Sequence, residues 1–279
     1  MILSLDRCEI ECAGQGDPLR LASAIHRQMP ENDKSVPVDD IALALDIIAI
    51  EEHPFAGLVA ALQTDANKSA GMIGVKTGLR STRRRYSIAH ELGHFLNETH
   101  EPTDSGGFAC SATDMSNPFG SARHIRQERE ANCFAIELLT PRARLGPILK
   151  HAAELERAVA MAYQFKISRE AALRRYVDLH SEVIAVVFSR DGRVRYSHRP
   201  DNFPWILPKP GEPLGETGGP PTTGDRINSL DEVNAESWLQ RGRDWSLYAQ
   251  TLFQHGGYAA TLLVAEPREQ DEPDEPRFR

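Results

Sequence analysis

His90-Glu91-Leu92-Gly93-His94 constrains this chain more than any other stretch. Histidines four residues apart lie one helical turn apart on one face, close enough to share an ion. The glutamate after the first histidine points about 100° round the helix, beside such an ion rather than on it. Zinc hydrolysis needs that arrangement, with two neutral imidazoles on the metal and a carboxylate placed to take a proton from water. On a helical wheel of about 100° per residue, Ile88, Ala89, Leu92, Phe95 and Leu96 share one arc, with His90 and His94 opposite and Glu91 on the flank. The expected helix buries its apolar side and turns its histidines toward a cleft or another element. A chance match with two solvated histidines would not need that apolar backing.

A third ligand is required, and two residues compete for it. A second helix is expected over Ile125–Leu139, stopped by Thr140-Pro141. Its apolar arc holds Ile125, Ala131, Ala135, Leu138 and Leu139, with Glu128 near the centre. A carboxylate inside a buried stripe needs a partner, and a metal or an arginine would serve. Glu128 is the preferred third ligand, with Asn132 one turn on as a hydrogen-bond partner for a ligand histidine. The rival is His100, ten residues after His90, in the third-histidine position of the metzincin pattern. That pattern wants glycine where this chain has Asn97, a residue that still tolerates a left-handed turn. The four cysteines are too few and scattered for a disulfide scaffold, are read as reduced, and are not expected around the metal.

The 279 residues suffice for one large domain or two modest ones. A net charge of −8 argues against a broad nucleic-acid or anionic-membrane footprint. No apolar run approaches the roughly 18 residues of a spanning helix, and the first residues lack a signal-peptide pattern. A cytoplasmic protein is expected.

Along the chain, Asp17-Pro18 reads as the cap and first residue of a helix, and Asp39 or Asp40 as the start of another. Strands are expected over Ile47–Ile50, Phe55–Leu62 and Ser69–Val75. The last, containing glycine and preceding the histidine helix, suits a sheet edge open to a peptide. Arg80, Arg83, Arg84 and Arg85 crowd the helix start, to steer an acidic substrate, hold carboxylates of the fold or simply be solvated. Residues 102–120 read as a long loop. Two helices over 154–179, capped at Ser168, fit either packing or a DNA-reading helix-turn-helix, for which Arg169, Arg174 and Arg175 would be the phosphate contacts. Beyond Val183, hairpins are expected around Arg190-Asp191-Gly192 and Gly256-Gly257, with loop over 203–224 and a helix over 229–240. Residues 266–279 form an acidic, proline-containing tail expected to be disordered.

Arg84-Arg85-Tyr86-Ser87-Ile88-Ala89 followed by His90–His94 resembles the ImmA/IrrE family of zinc metallopeptidases. So do Glu128-Arg129-Glu130-Ala131-Asn132-Cys133-Phe134-Ala135, running on to Leu138-Leu139-Thr140-Pro141, and the turn Phe165–Ala171. The resemblance covers about residues 15–180. Thr140 departs from it, standing where methionine is common. The resemblance implies that His90, His94 and Glu128 bind Zn2+ and that Glu91 is the catalytic base. It further implies an anti-repressor role, in which the peptidase cleaves a helix-turn-helix (XRE-like) repressor in stress or mobile-element control. The expected fold is α+β: a gluzincin-like zinc metallopeptidase domain over 1–181, then a small mixed β-rich domain over 182–265. A non-cleaving module that sequesters a transcription factor is the alternative, and neither membrane nor direct nucleic-acid binding is expected.

Overall fold

The computed structural model describes residues 3–30, 35–103, 106–115, 120–214 and 225–268. Two compact units share the chain: Met1–Pro147 with Met161–Ala171, and Ile148–Ala160 with Ala172–Arg279.

The first unit opens with α1 (Arg7–Gly14), α2 (Pro18–Gln28) and α3 (Val38–Ala44). Asp17 caps α2 as expected, its side chain accepting from the amides of Leu19 and Arg20, with Pro18 in the first turn. Strands β1 (Ile47–His53), β2 (Leu58–Thr64) and β3 (Gly71–Lys76) follow, then α4 (Ser81–Leu96), β4 (Gly107–Ser111) and α5 (Ala122–Leu139). The sheet order is β1-β3-β2-β4, with β1 and β3 parallel and the other pairs antiparallel. The glycine-containing strand β3 is therefore central, not an edge. Its alternate residues Gly71, Ile73 and Val75 are buried, which a two-sided position in the sheet rewards. The edge near the histidine helix is β4, inside the stretch expected to be loop. Its neighbour β2 supplies the ladder that outweighs the turn-forming residues around it.

Helix α4 packs on β2 and β3 on one side and on α5 on another, and every residue from Ser87 to Leu96 is buried. Glycine at position 93 permits the close approach of the two helices. A Cβ there would lie 2.9 Å from Phe134 Cδ1 and 3.3 Å from the Ala131 Cα. The C-terminal end of α4 is closed by a buried ammonium: Lys68 Nζ donates to the carbonyls of His94 at 2.8 Å and Asn97 at 2.6 Å. A cation there answers the exposed carbonyls and the negative end of the helix dipole. Two of the arginines at the other end are structural ties. Arg84 pairs with Asp39 at 2.6 Å, and Arg85 donates to the Val36 carbonyl at 2.8 Å.

Downstream come α6 (Gly146–Leu149), α7 (Leu155–Phe165) and α8 (Arg169–Leu179), the Ser168 hydroxyl accepting from the Ala171 amide as expected. The second unit's sheet joins β5 (Ile184–Arg190), β6 (Arg193–His198), β7 (Arg226–Ile227), β8 (Asp231–Val233), β9 (Trp245–Phe253) and β10 (Tyr258–Pro267), with α9 (Ala235–Trp238) between β8 and β9. Its order is β6-β5-β10-β9-β7, antiparallel throughout, with β8 also on β9. Asp191 and Gly192 both take positive φ at the β5–β6 turn, as a tight two-residue hairpin demands. Leu155, Ala158, Leu173, Tyr176 and Val177 pack with Ile184, Val186, Leu262 and Val264 of the sheet. Arg175 is buried, so it does not present a charge to a phosphate. Within 229–240 the expected helix shrinks to α9, capped by Asn234, because β9 captures 231–233 as a strand. Residues 215–224 of the expected loop and 269–279 of the expected tail lie outside the described residues.

Two measurements test these contacts. His26 Nε2 donates to the Leu138 carbonyl at 2.9 Å, and burial holds its pKa below the usual histidine value. The unfolded chain takes up a proton near pH 6.5 that the folded chain refuses, so this group makes stability fall as pH drops through that value. Thermal unfolding at pH 8 and 5.5 will show a smaller acid loss for His26→Gln than for wild type; an equal loss contradicts the assignment. Gly93→Ala gains up to about 1 kcal/mol of helix propensity but meets backbone and an aromatic ring. Overpacking of about 1–3 kcal/mol wins, and a lowered Tm is expected by calorimetry.

Candidate metal centre

Helix α4 places His90, Glu91 and His94 in the interior, and α5 brings Glu128 to meet them. Gly93 sets this distance, since Ala131 and Phe134, its neighbours on α5, follow Glu128 by about one and two turns. His90 Nε2 lies 3.1 Å from Glu128 Oε2, His94 Nε2 lies 3.3 Å from Glu128 Oε1, and the two imidazole Nε2 atoms are 3.2 Å apart. His90 and His94 are fully buried, and Glu128 almost so.

The outer hydrogen bonds decide which tautomers these rings hold. The Asn132 Oδ1 oxygen can only accept, and it takes the Tyr86 hydroxyl at 2.7 Å and His90 Nδ1–H at 3.1 Å. His100 Nε2–H donates to the Glu130 carboxylate at 2.9 Å, which leaves its Nδ1 as acceptor for His94 Nδ1–H at 3.0 Å. Each ligand-type histidine therefore spends its proton outward and turns a bare Nε2 lone pair inward. Two lone pairs and a carboxylate facing one another at such distances ask for a cation between them. Zinc bonds of about 2.0–2.3 Å in a tetrahedron set ligand atoms roughly 3.3–3.8 Å apart, and the donor atoms, 3.1–3.3 Å apart, stand at or just inside that spacing, so a small outward shift fits them to such an ion.

Electrostatics agree with that reading. Burial, with the neighbouring His90 adding to it, pulls His94 down to about 4, so its ring is neutral and able to ligate. Glu91 is fully buried and neither carboxylate oxygen has a hydrogen-bond partner. Burial, with the charge of Glu128 adding to it, pushes its carboxyl well above the ordinary value. Such a buried carboxylate costs stability, which the Cys110 thiol beside it offsets only in part.

The residues singled out from the sequence divide clearly. His90, Glu91, His94, Glu128 and Asn132 come together. His100 instead stands behind His94, joined to it through Nδ1 and tied outward to Glu130. Asn97 is extended, with φ −80°, so the left-handed turn that would swing His100 inward is absent. Cysteine was not expected here, yet Cys110 on β4 belongs to the cluster, its Sγ 3.8 Å from both His94 Nε2 and Glu128 Oε1. His90, His94, Cys110 and Glu128 offer donor atoms all within 4.8 Å of one another. Its signal lay in a five-residue strand whose alternation is too short to stand out between turn-forming residues. Asp114 was likewise not foreseen; it lies 3.4 Å from His124 Nε2, at the more exposed side of Glu128.

Comparison with known proteins places this site in context. No curated protein matches the chain. A solved structure described as a Mycobacterium tuberculosis transcriptional regulator is similar in fold, with a TM-score of 0.53 at 11% identity, covering 92% of each chain. Residues 48–176, which carry every residue of the cluster, match the family described as Peptidase_M78, IrrE N-terminal-like domain. Over this segment the chain is similar to the IrrE N-terminal-like domain of that family.

Proposed function

We propose that the chain is a cytoplasmic zinc-dependent endopeptidase whose substrate is a helix-turn-helix transcriptional repressor. The observation that carries the hydrolytic reading is the pairing of inward lone pairs on His90 and His94 with a buried, unpartnered Glu91. His90, His94 and Glu128 hold the ion in this reading. Zinc, when bound, polarises the scissile carbonyl and acidifies water. Glu91 does the proton work: its raised proton affinity suits a base that takes a proton from the attacking water and hands it to the leaving amine. Asn132 and the His100–Glu130 pair hold the two imidazoles in the tautomer that leaves Nε2 free. An extended peptide lies along β4, which among the described residues has only β2 as a strand partner in its sheet. His124, partly exposed, tied to Asp114 and 3.9 Å from Glu128 Oε1, is the candidate donor to an oxygen developing charge.

The repressor substrate rests on the family's link to transcriptional regulation and not on any contact in the site. The second unit is read as a docking or sensing element for that partner.

Glu91→Gln separates a peptidase from a sequestering module. Wild type and variant are expressed side by side, and new protein N-termini are profiled in each. The expected result is cleavage of a repressor by wild type alone, reduced at least about 100-fold in the variant, with metal content unchanged. The metal-free variant is also expected to melt at a higher temperature than metal-free wild type, because a buried unpaired charge is gone. Equal repressor loss in both strains would sink the assignment of Glu91.

A further inference from the structure

The tetrahedral spacing that fits three ligands leaves a fourth corner, and Cys110 stands near it. Its Sγ is 3.8 Å from His94 Nε2 and from Glu128 Oε1, against roughly 3.3–3.8 Å for neighbouring ligands of one tetrahedral zinc. The side chain is fully buried. It also neighbours the buried Glu91 carboxylate, whose role in hydrolysis requires it to face the fourth-corner water. The thiol therefore stands where a reacting water would stand.

Strand β4 is shaped to put it there. The ladder between β2 and β4 slips at Leu58–Ala60, opposite Ser111 and Cys110, and such a bulge re-aims side chains beside a site. Gly107 lets the strand approach closely, since a Cβ at that position would lie 2.1 Å from the Leu62 carbonyl oxygen. Phe108 stacks on the His94 ring at 4.4 Å between centroids and fixes the strand against the ligand helix. Cys8 and Cys12 are exposed on α1 and take no part.

We propose that Cys110 is a displaceable fourth metal ligand that closes the centre, so that the chain rests as a latent peptidase. The proposal builds on the zinc peptidase reading above. Hydrolytic zinc sites keep an open corner and structural ones fill all four; this centre switches between the two. In closing, the Cys110 S–H bond breaks, the thiolate takes the metal position that water leaves, and the proton goes to the Glu91 carboxylate. In opening, Glu91 returns that proton to the sulfur and water re-enters, with no oxidant or reductant consumed. Because β4 is an edge strand, its movement carries the sulfur away without unravelling the sheet.

Cobalt(II) substitution of the full-length protein reads the ligand directly. Wild type is expected to bind cobalt and to show a thiolate-to-cobalt charge-transfer band in the near ultraviolet. Cys110→Ala and Cys110→Ser are expected to bind cobalt without that band, roughly tenfold or more weakly, and to cleave denatured casein faster than wild type when loaded with zinc. The serine variant, nearly isosteric, carries the test if the alanine variant fails to fold. Cobalt bound by wild type without the band, or a band that survives in both variants, overturns the role of Cys110 and leaves the peptidase reading intact. Absence of cobalt binding in wild type and variants alike removes the peptidase reading, and the closing ligand with it.

Discussion

The interaction on which the first unit depends is a repulsive one. Two imidazole lone pairs, the Glu128 carboxylate and the Glu91 carboxylate are gathered in a space that water barely reaches. In a low-dielectric interior, such an arrangement is held together by its surroundings or not at all. The surroundings are continuous. Tyr86 and Asn132 fix one ring, His100 and Glu130 fix the other, and Lys68 ties the carbonyl end of the ligand helix to the turn before β3. Each of these contacts holds a group in the one orientation that a cation between α4 and α5 can use.

That arrangement explains why a small residue is needed at 93 and why the fold spends stability on buried charge. The α4–α5 separation is set by a glycine against Ala131 and Phe134, and at that separation Glu128 comes within 3.1 Å of His90 Nε2 and 3.3 Å of His94 Nε2. Glu91 has no comparable excuse in the packing. A buried carboxylate without a partner is a functional signature, because a purely structural core replaces such a group with an apolar one at no loss.

Helix α4 was legible in the sequence because both its signals, the four-residue histidine spacing and the apolar arc behind it, are local. Glu128 was legible for a related reason: a carboxylate in the middle of an apolar stripe is anomalous without knowledge of the fold. Asn132 and the Asp191-Gly192 turn followed from position on a helix and from turn chemistry. The misses are all non-local. Nothing near Gly71 says that β1 and β2 flank β3, so a central strand read as an edge. Residues 231–233 join β9 through a partner distant in sequence, overriding a local helical pattern. Cys110 sits in a strand that exists only because β2 pairs with it, and its place beside His94 follows from sheet order and a bulge. His100 had the right spacing for one metal pattern, but the extended Asn97 turned it to the back of His94.

The account stands or falls on whether His90, His94 and Glu128 hold one ion. Elemental analysis of purified wild type beside Glu128→Ala and His100→Ala, at matched protein concentration, addresses that directly. One zinc per chain in wild type, lost in Glu128→Ala and retained in His100→Ala with weaker affinity, is the expected result. Zinc that survives removal of Glu128, or a wild-type protein that takes up none after reconstitution, would contradict it.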